Sequence, residues 1–203
     1  MGILKGALSG RRYRVEGELP EGWRDKYIEA LDANSFREPL SPTRKEPTMG
    51  WVQAHNLLDT DFSDINQWLY NQYALFSLRI DKKVIPSKLF KATLQKRQQH
   101  WCKTNNRDRC PPNVREELKE ALELEMLKQT LPNVALLECV WNVVDGWLFL
   151  HNDSETANDT FRKLFYRTFA LRPVPWSPLD ELGDADLAMR LVSSGSSDLR
   201  GAP

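Results

Sequence analysis

The stretch VALLECVWNVVDGWLFLH, residues 134–151, constrains the fold most. Val134 to Val144 is rich in branched and aromatic residues that suit a pleated surface. Asp145-Gly146 is a dipeptide favoured in two-residue type I′ turns, and Trp147 to His151 returns with the same character. This predicts a hairpin in an antiparallel sheet. Directly after it, Asn152 and Glu155 stand three apart as in a capping box. Ala157, Phe161, Leu164, Phe165, Thr168 and Phe169 then recur at helical spacing, predicting an amphipathic helix with one apolar face for that sheet.

The remaining segments extend this pattern in both directions. LKGALSGRRYRVE (4–16) alternates around Tyr13 and Val15, an opening strand with Arg12 and Arg14 on one face. Leu19-Pro20-Glu21 opens a helix carrying Trp23, Tyr27, Ala30 and Leu31, with Asn34 as a left-handed stop. Residues 35–48 read as a proline-rich loop ending at the apolar knot Met49-Gly50-Trp51-Val52, and residues 59–72 as a short helix. Tyr73 to Ile80 reads as a strand, followed by a polar turn at Asp81-Lys82-Lys83. Ser87 caps a helix in which Phe90, Leu94, Arg97 and Trp101 form a stripe. After a break at 104–114, a second helix from Arg115 presents Leu118, Ala121, Leu122, Leu124, Leu127 and Leu131. RPVPWSP (172–178) is extended, and the polar, acidic remainder reads as a loosely ordered tail with about one helical turn near Leu187 to Leu191.

The fold class is therefore α+β: an antiparallel-leaning sheet of about four or five strands, helices packed on one face, and a helical hairpin projecting from it. Residues 1–86 and 132–178 form the central α+β domain, 87–131 the hairpin, and 179–203 the tail.

Charge is sorted along the chain although Lys+Arg and Asp+Glu number 28 each. Residues 79–110 carry ten Lys and Arg against two acids, and residues 111–160 three against ten. Potential at a surface follows local arrangement, since ionic screening acts over about 8 Å at physiological salt. A cationic segment thus attracts a polyanion even when the whole molecule sums to zero. With a second basic set at Arg11, Arg12 and Arg14, nucleic acid is one reading and a solvated helix face screened by the acidic helix beside it is the other. Most aromatics sit on apolar stripes and read as core; Trp101, ending the basic helix, is the exception available for base stacking.

Catalytic signatures are sparse. There is no glycine-rich phosphate loop and no Gly-x-Ser-x-Gly elbow. His100, Cys102 and Cys110 fit no common zinc spacing, and the acids of 116–125 and 153–159 read as solvated faces, so no metal, cofactor or catalytic residue is assigned. Three cysteines imply reduced thiols, and without an apolar run of about 18 residues no membrane span is expected. A cytoplasmic protein is the expectation.

In order, Met49-Gly50-Trp51-Val52, KKVIPSKLFKATL (82–94), REELKEALELEMLKQTLP (115–132), DGWLFLHN (145–152) and LRPVPWSPL (171–179) resemble the RdgC family of bacterial recombination-associated DNA-binding proteins. The resemblance implies a non-enzymatic, nucleoid-associated protein that binds double-stranded DNA without sequence preference, forms a homodimeric ring around it and restrains RecA-type recombinase. Residues 87–131 correspond to that family's helical tip. The C-terminal base domain of a typical member has no counterpart after residue 179, so the chain is read as a short form. Arg11, Arg12, Arg14, Lys82, Lys83, Lys88, Lys91 and Lys96 are the expected phosphate contacts. A metal-dependent exonuclease and a regulator that contacts recombinase without DNA are the alternatives.

Overall fold

The computed structural model describes residues 8–39, 46–177 and 182–193; expectations for the start of the chain, the middle of the proline-rich loop and most of the tail lie outside them. The elements are β1 (Arg11–Glu16), α1 (Trp23–Ala33), β2 (Thr48–Gln53), β3 (Leu69–Tyr70), β4 (Tyr73–Lys82), α2 (Ser87–Thr104), α3 (Pro112–Gln129), β5 (Asn133–Asn142), β6 (Trp147–Leu150), α4 (Glu155–Phe169), β7 (Arg172–Pro175) and α5 (Ala185–Ser193). The strands form one antiparallel sheet in the order β2-β4-β5-β6-β1-β7, with β3 also paired to β4. The fold is α+β.

One face of the sheet packs on α1 and α4. Successive side chains on a strand point to opposite faces, so Trp51, Phe76, Leu78, Leu137, Cys139, Trp141, Leu148 and Tyr13 share the covered face, and all are buried. α4 meets them with Phe161, Phe165 and Phe169: Trp51 contacts Phe161 and Phe169, and Trp141 contacts Phe165 and Phe169. Two polar side chains within this apolar layer are matched, whereas Trp141 Nε1 and the Tyr27 hydroxyl find no hydrogen-bond partner among the described residues. Trp51 Nε1 donates to Thr168 Oγ1 at 2.8 Å, and the Tyr13 hydroxyl donates to Asn158 Oδ1.

The hairpin's position follows from topology. Lys82 on β4 pairs with Asn133 on β5. Residues 83–132 therefore leave and re-enter the sheet at adjacent strand ends, and α2 and α3 pack chiefly on each other and not on the sheet. Ile85, Leu122 and Leu127 are buried in this part of the chain but stand apart from the main core. Lys83 Nζ donates to Leu127 O at 2.9 Å.

Several local expectations are corrected. The β5–β6 connection is a four-residue turn, Val143 to Gly146, and not a type I′ turn: of the two residues Asp145 and Gly146, only Gly146 has positive φ, 67°. Buried Asn142 sets it, accepting from the amides of Val144 and Asp145 and donating to the Asp145 carboxylate. The capping box does not form, because Asn152 accepts from Ser154 N and Glu155 turns to Arg11. Asn34 ends α1 at φ −109°, with its amide and side chain both donating to Ala30 O. The expected helix at 59–72 reduces to one 3₁₀ turn, Ile65–Gln67. Asp59, Asp61 and Asp64 there accept from backbone amides two residues ahead and divert the chain into successive Asx turns.

Two strands replace expected irregular segments. Met49 to Val52 lies in β2, whose Gly50 admits the chain at Phe36: Phe36 N donates to Trp51 O, and a Cβ on Gly50 would stand 2.4 Å from the Phe36 backbone. RPVP is β7, bonded to β1. The polar turn at Asp81-Lys82 is instead the end of β4, where Asp81 receives a bidentate pair of hydrogen bonds from Arg79 at 2.7 and 2.8 Å. In the tail, α5 spans nine residues.

Candidate nucleic-acid interface

α2 divides its residues between two sides. Phe90, Leu94, Arg97 and Trp101 are half-buried, on the stripe that faces α3. Lys88, Lys91, Lys96, Gln99 and Lys103 are exposed and lie within one arc at 100° per residue, an array about 22 Å long at 1.5 Å rise. Among the described residues, Lys88, Lys91 and Lys96 form no ion pair or hydrogen bond, and one ion pair joins the two helices, Arg97 to Glu125 at 2.6 Å. Glu116 of α3 pairs within its own helix with Lys119. The acidic helix therefore does not tie down the lysine array. A cleft of about 500 Å³ between the helices is lined by Lys96, Arg97, His100, Trp101 and Leu118, placing Trp101 beside the cations.

The other basic residues lie elsewhere. Lys82 is exposed at the base of the hairpin, while the Lys83 ammonium is engaged by Leu127 O. Arg11 points to the helix-covered side, where it meets Glu155 at 2.6 Å and Asp153 O; the Glu155 bond raises its pKa. Arg12 and Arg14 share the opposite face, as the alternation predicts. Arg14 Nε is 3.7 Å from Glu16, and the Arg12 guanidinium lies over Trp147 and Trp176. β1 is three strands from β4, about 14 Å. Arg12 aligns through Phe149 and Val140 with Leu75, seven residues along β4 from Lys82, or about 24 Å. The structure thus groups Lys82 with the α2 lysines and separates them from the β1 arginines.

Other candidate chemistry does not assemble. Among the described residues no three His, Cys, Asp or Glu groups gather to hold a metal ion. His100 and Cys102, two apart on a helix, project about 200° from each other. Glu116, Glu125, Glu155 and Asp159 each face a cation. All three cysteines are free thiols, and burial pushes Cys139 well above its usual pKa.

Sequence reasoning passed over two groups. Arg162, Lys163, Tyr166 and Arg172 line a cleft of about 380 Å³ between α4 and β7. Their spacing crosses a helix end, so no single-element periodicity reveals them. Trp147, Trp176 and Tyr73 face away from the helices, which the alternation of β6 and β4 would have indicated once the register was known.

A single antiparallel sheet with helices on one face and a lysine-bearing helical hairpin between two adjacent strands defines an α+β domain with a projecting cationic arm. The family model described as "Putative exonuclease, RdgC" matches residues 11–189. This chain belongs to the RdgC family, and membership supports a recombination-associated role. No curated protein matches the chain. Among the described residues no helix is long and apolar enough to cross a membrane.

Proposed function

We propose that this chain binds duplex DNA without sequence preference, with Lys82, Lys88, Lys91 and Lys96 as the principal phosphate contacts, and that it acts in recombination or replication by restraining a RecA-type recombinase. The observation that supports this reading is the lysine array on α2, exposed and free of ion pairs among the described residues. Ammonium groups on a rigid rod neutralise successive phosphates and release counterions, whereas base-edge readout requires a forked or amide side chain held in a groove. Arg12 and Arg14 lie on a separate surface, outside this duplex contact; Arg11 and Lys83 contribute only if their present partners yield. The protein works as a non-enzymatic homodimer in the cytoplasm, associated with the nucleoid.

The test is a gel shift of the purified chain on unrelated duplexes across a salt series, with and without Mg²⁺. Affinities should be equal between sequences and fall steeply with salt. K88E/K91E/K96E should make the log–log slope shallower by about 2.7, at about 0.9 per phosphate contact. A salt-independent affinity overturns the reading. The family description favours a second reading, a metal-dependent exonuclease. It predicts shortened end-labelled DNA in the Mg²⁺ or Mn²⁺ arm, whereas intact DNA with a retained shift supports binding alone. A regulator that contacts only the recombinase predicts unchanged inhibition of it by the triple variant.

A further inference from the structure

The sheet face turned away from α1 and α4 carries a continuous row of rings. The Arg12 guanidinium lies 4.4 Å from the centroid of Trp176 and 5.4 Å from that of Trp147. The Trp147 and Tyr73 rings follow at 6.0 Å, tilted by 59°. Register builds the row: Trp147 stands opposite Arg14 on β1 and Asn142 on β5, and Asn142 stands opposite Tyr73 on β4. Phe149 flanks it, opposite Arg12 and Val140. Trp147, Phe149 and Trp176 are half-buried, and Tyr73 and Tyr70 are 37% and 50% exposed. At the β4 end the row opens on a hollow of about 380 Å³ lined by His55, Tyr70, Tyr73, Leu75 and Val140.

A wet face of an antiparallel sheet ordinarily alternates to polar residues. This one holds rings, with cations at one end: Arg12, Arg14 and Arg172 against Glu16. The remaining acids on this face are Glu138 on β5, Asp81 at the far end of β4, paired with Arg79, and Asp145, which is held by Asn142. Duplex bases are stacked on one another and offer no free faces to such rings. Unpaired bases do, and they stack on aromatic rings and on guanidinium planes while cations take the phosphates. The Arg12 sandwich fixes two indoles on the sheet and forms no hydrogen bond or ion pair among the described residues, leaving its N–H edge for a phosphate.

We propose that this face is a second nucleic-acid site, specific for an unpaired strand and separate from the α2 lysines. The strand runs across β7, β1, β6, β5 and β4, its phosphates near Arg12 and Arg14, its bases on Trp147, Phe149 and Tyr73, and one base in the hollow beside Tyr70.

The test uses the full chain and oligo-dT of about 16 nucleotides, which forms no pairs, with intrinsic tryptophan fluorescence and the anisotropy of labelled oligonucleotide as readouts. Oligo-dT should quench the tryptophan emission. Tyr73→Ala with Trp147→Ala should weaken oligo-dT binding at least about tenfold and leave duplex affinity within about twofold. Trp147→Phe, which keeps a ring and guards against a folding defect, should retain most of the binding. K88E/K91E/K96E should do the reverse, losing duplex and keeping oligo-dT. Oligo-dT binding without quenching, or unchanged in the double variant, overturns the proposal, as does equal loss on duplex. Unchanged binding together with a lower thermal midpoint for Met189→Asp/Val192→Asp would show instead that the apolar side of α5 covers this face. A wild-type chain that shifts no duplex yet is quenched by oligo-dT removes the proposed function and leaves this site standing.

Discussion

The sheet with α4 and the hairpin are built on opposite plans. In the sheet and α4, five fully buried large side chains, Trp51, Trp141, Phe76, Phe161 and Phe165, interlock across one layer, and their rings meet edge-on or tilted. In the hairpin, α2 has no buried residue and α3 has two, Leu122 and Leu127. Ala121, Leu124 and Leu131, expected on the apolar face, are exposed. Burial fixes identity in the first region and leaves it open in the second. Charge can therefore be written along α2 with little consequence for folding, and this is where a binding surface is placed at least cost in stability.

The comparison breaks if the two regions respond alike to truncation. Phe165→Ala removes a ring that packs on Trp141, Phe161 and Phe169 and should destabilise the protein by about 3–5 kcal/mol in denaturant titration. Leu122→Ala, in the separate small cluster, should cost less, about 2–3 kcal/mol. Hydrogen exchange distinguishes the two more sharply than midpoints. The Leu122 variant should accelerate amides of α2 and α3 while β4 and β5 stay protected, whereas the Phe165 variant should accelerate both regions.

Tyr27 sharpens the comparison within the core itself. It packs against Trp141 and Phe169, but its buried hydroxyl has no hydrogen-bond partner among the described residues, and burial pushes its pKa from 10.0 to about 12. The folded state thus favours the neutral phenol. That preference contributes fully below pH 10 and is lost as pH rises toward about 12, because the unfolded chain releases its proton first. Tyr27→Phe should change stability at pH 7 by at most about 1 kcal/mol and should flatten the alkaline limb of the stability profile relative to the parent chain.

Periodicity exposed what a single element encodes. The stripe of α4, the lysine arc of α2 and the alternation that sets Arg12 and Arg14 apart from Tyr13 are local facts, and each was legible from spacing. β2 and β7 were not. β2 contains Gly50 because another segment crosses it at Phe36, and β7 holds two prolines because it is an edge strand, so both look like loops until their neighbours are known. The β5–β6 turn misled for a similar reason, since Asn142 outranks the Asp-Gly pair by bonding the turn amides. For the candidate site, the sequence showed which residues are cationic and not which are free. Arg11 and Lys83 are engaged by partners 144 and 44 residues away along the chain, beyond the reach of any local pattern.

The smallest expected effect discriminates best between the two plans. K88E/K91E/K96E reverses three charges on a helix surface without touching a packed atom. Among the described residues no carboxylate pairs with these lysines, so none of those is left unsatisfied when they go. Exposed substitutions of this kind change stability by at most about 0.5 kcal/mol, and relief of repulsion among neighbouring ammonium groups offsets part of any loss. Thermal melts should superimpose on those of the parent, with duplex affinity reduced. If the triple variant instead melts markedly lower, the lysines are bound to the acidic side of α3 in solution, and the separation of packing from charge that distinguishes hairpin from sheet does not hold.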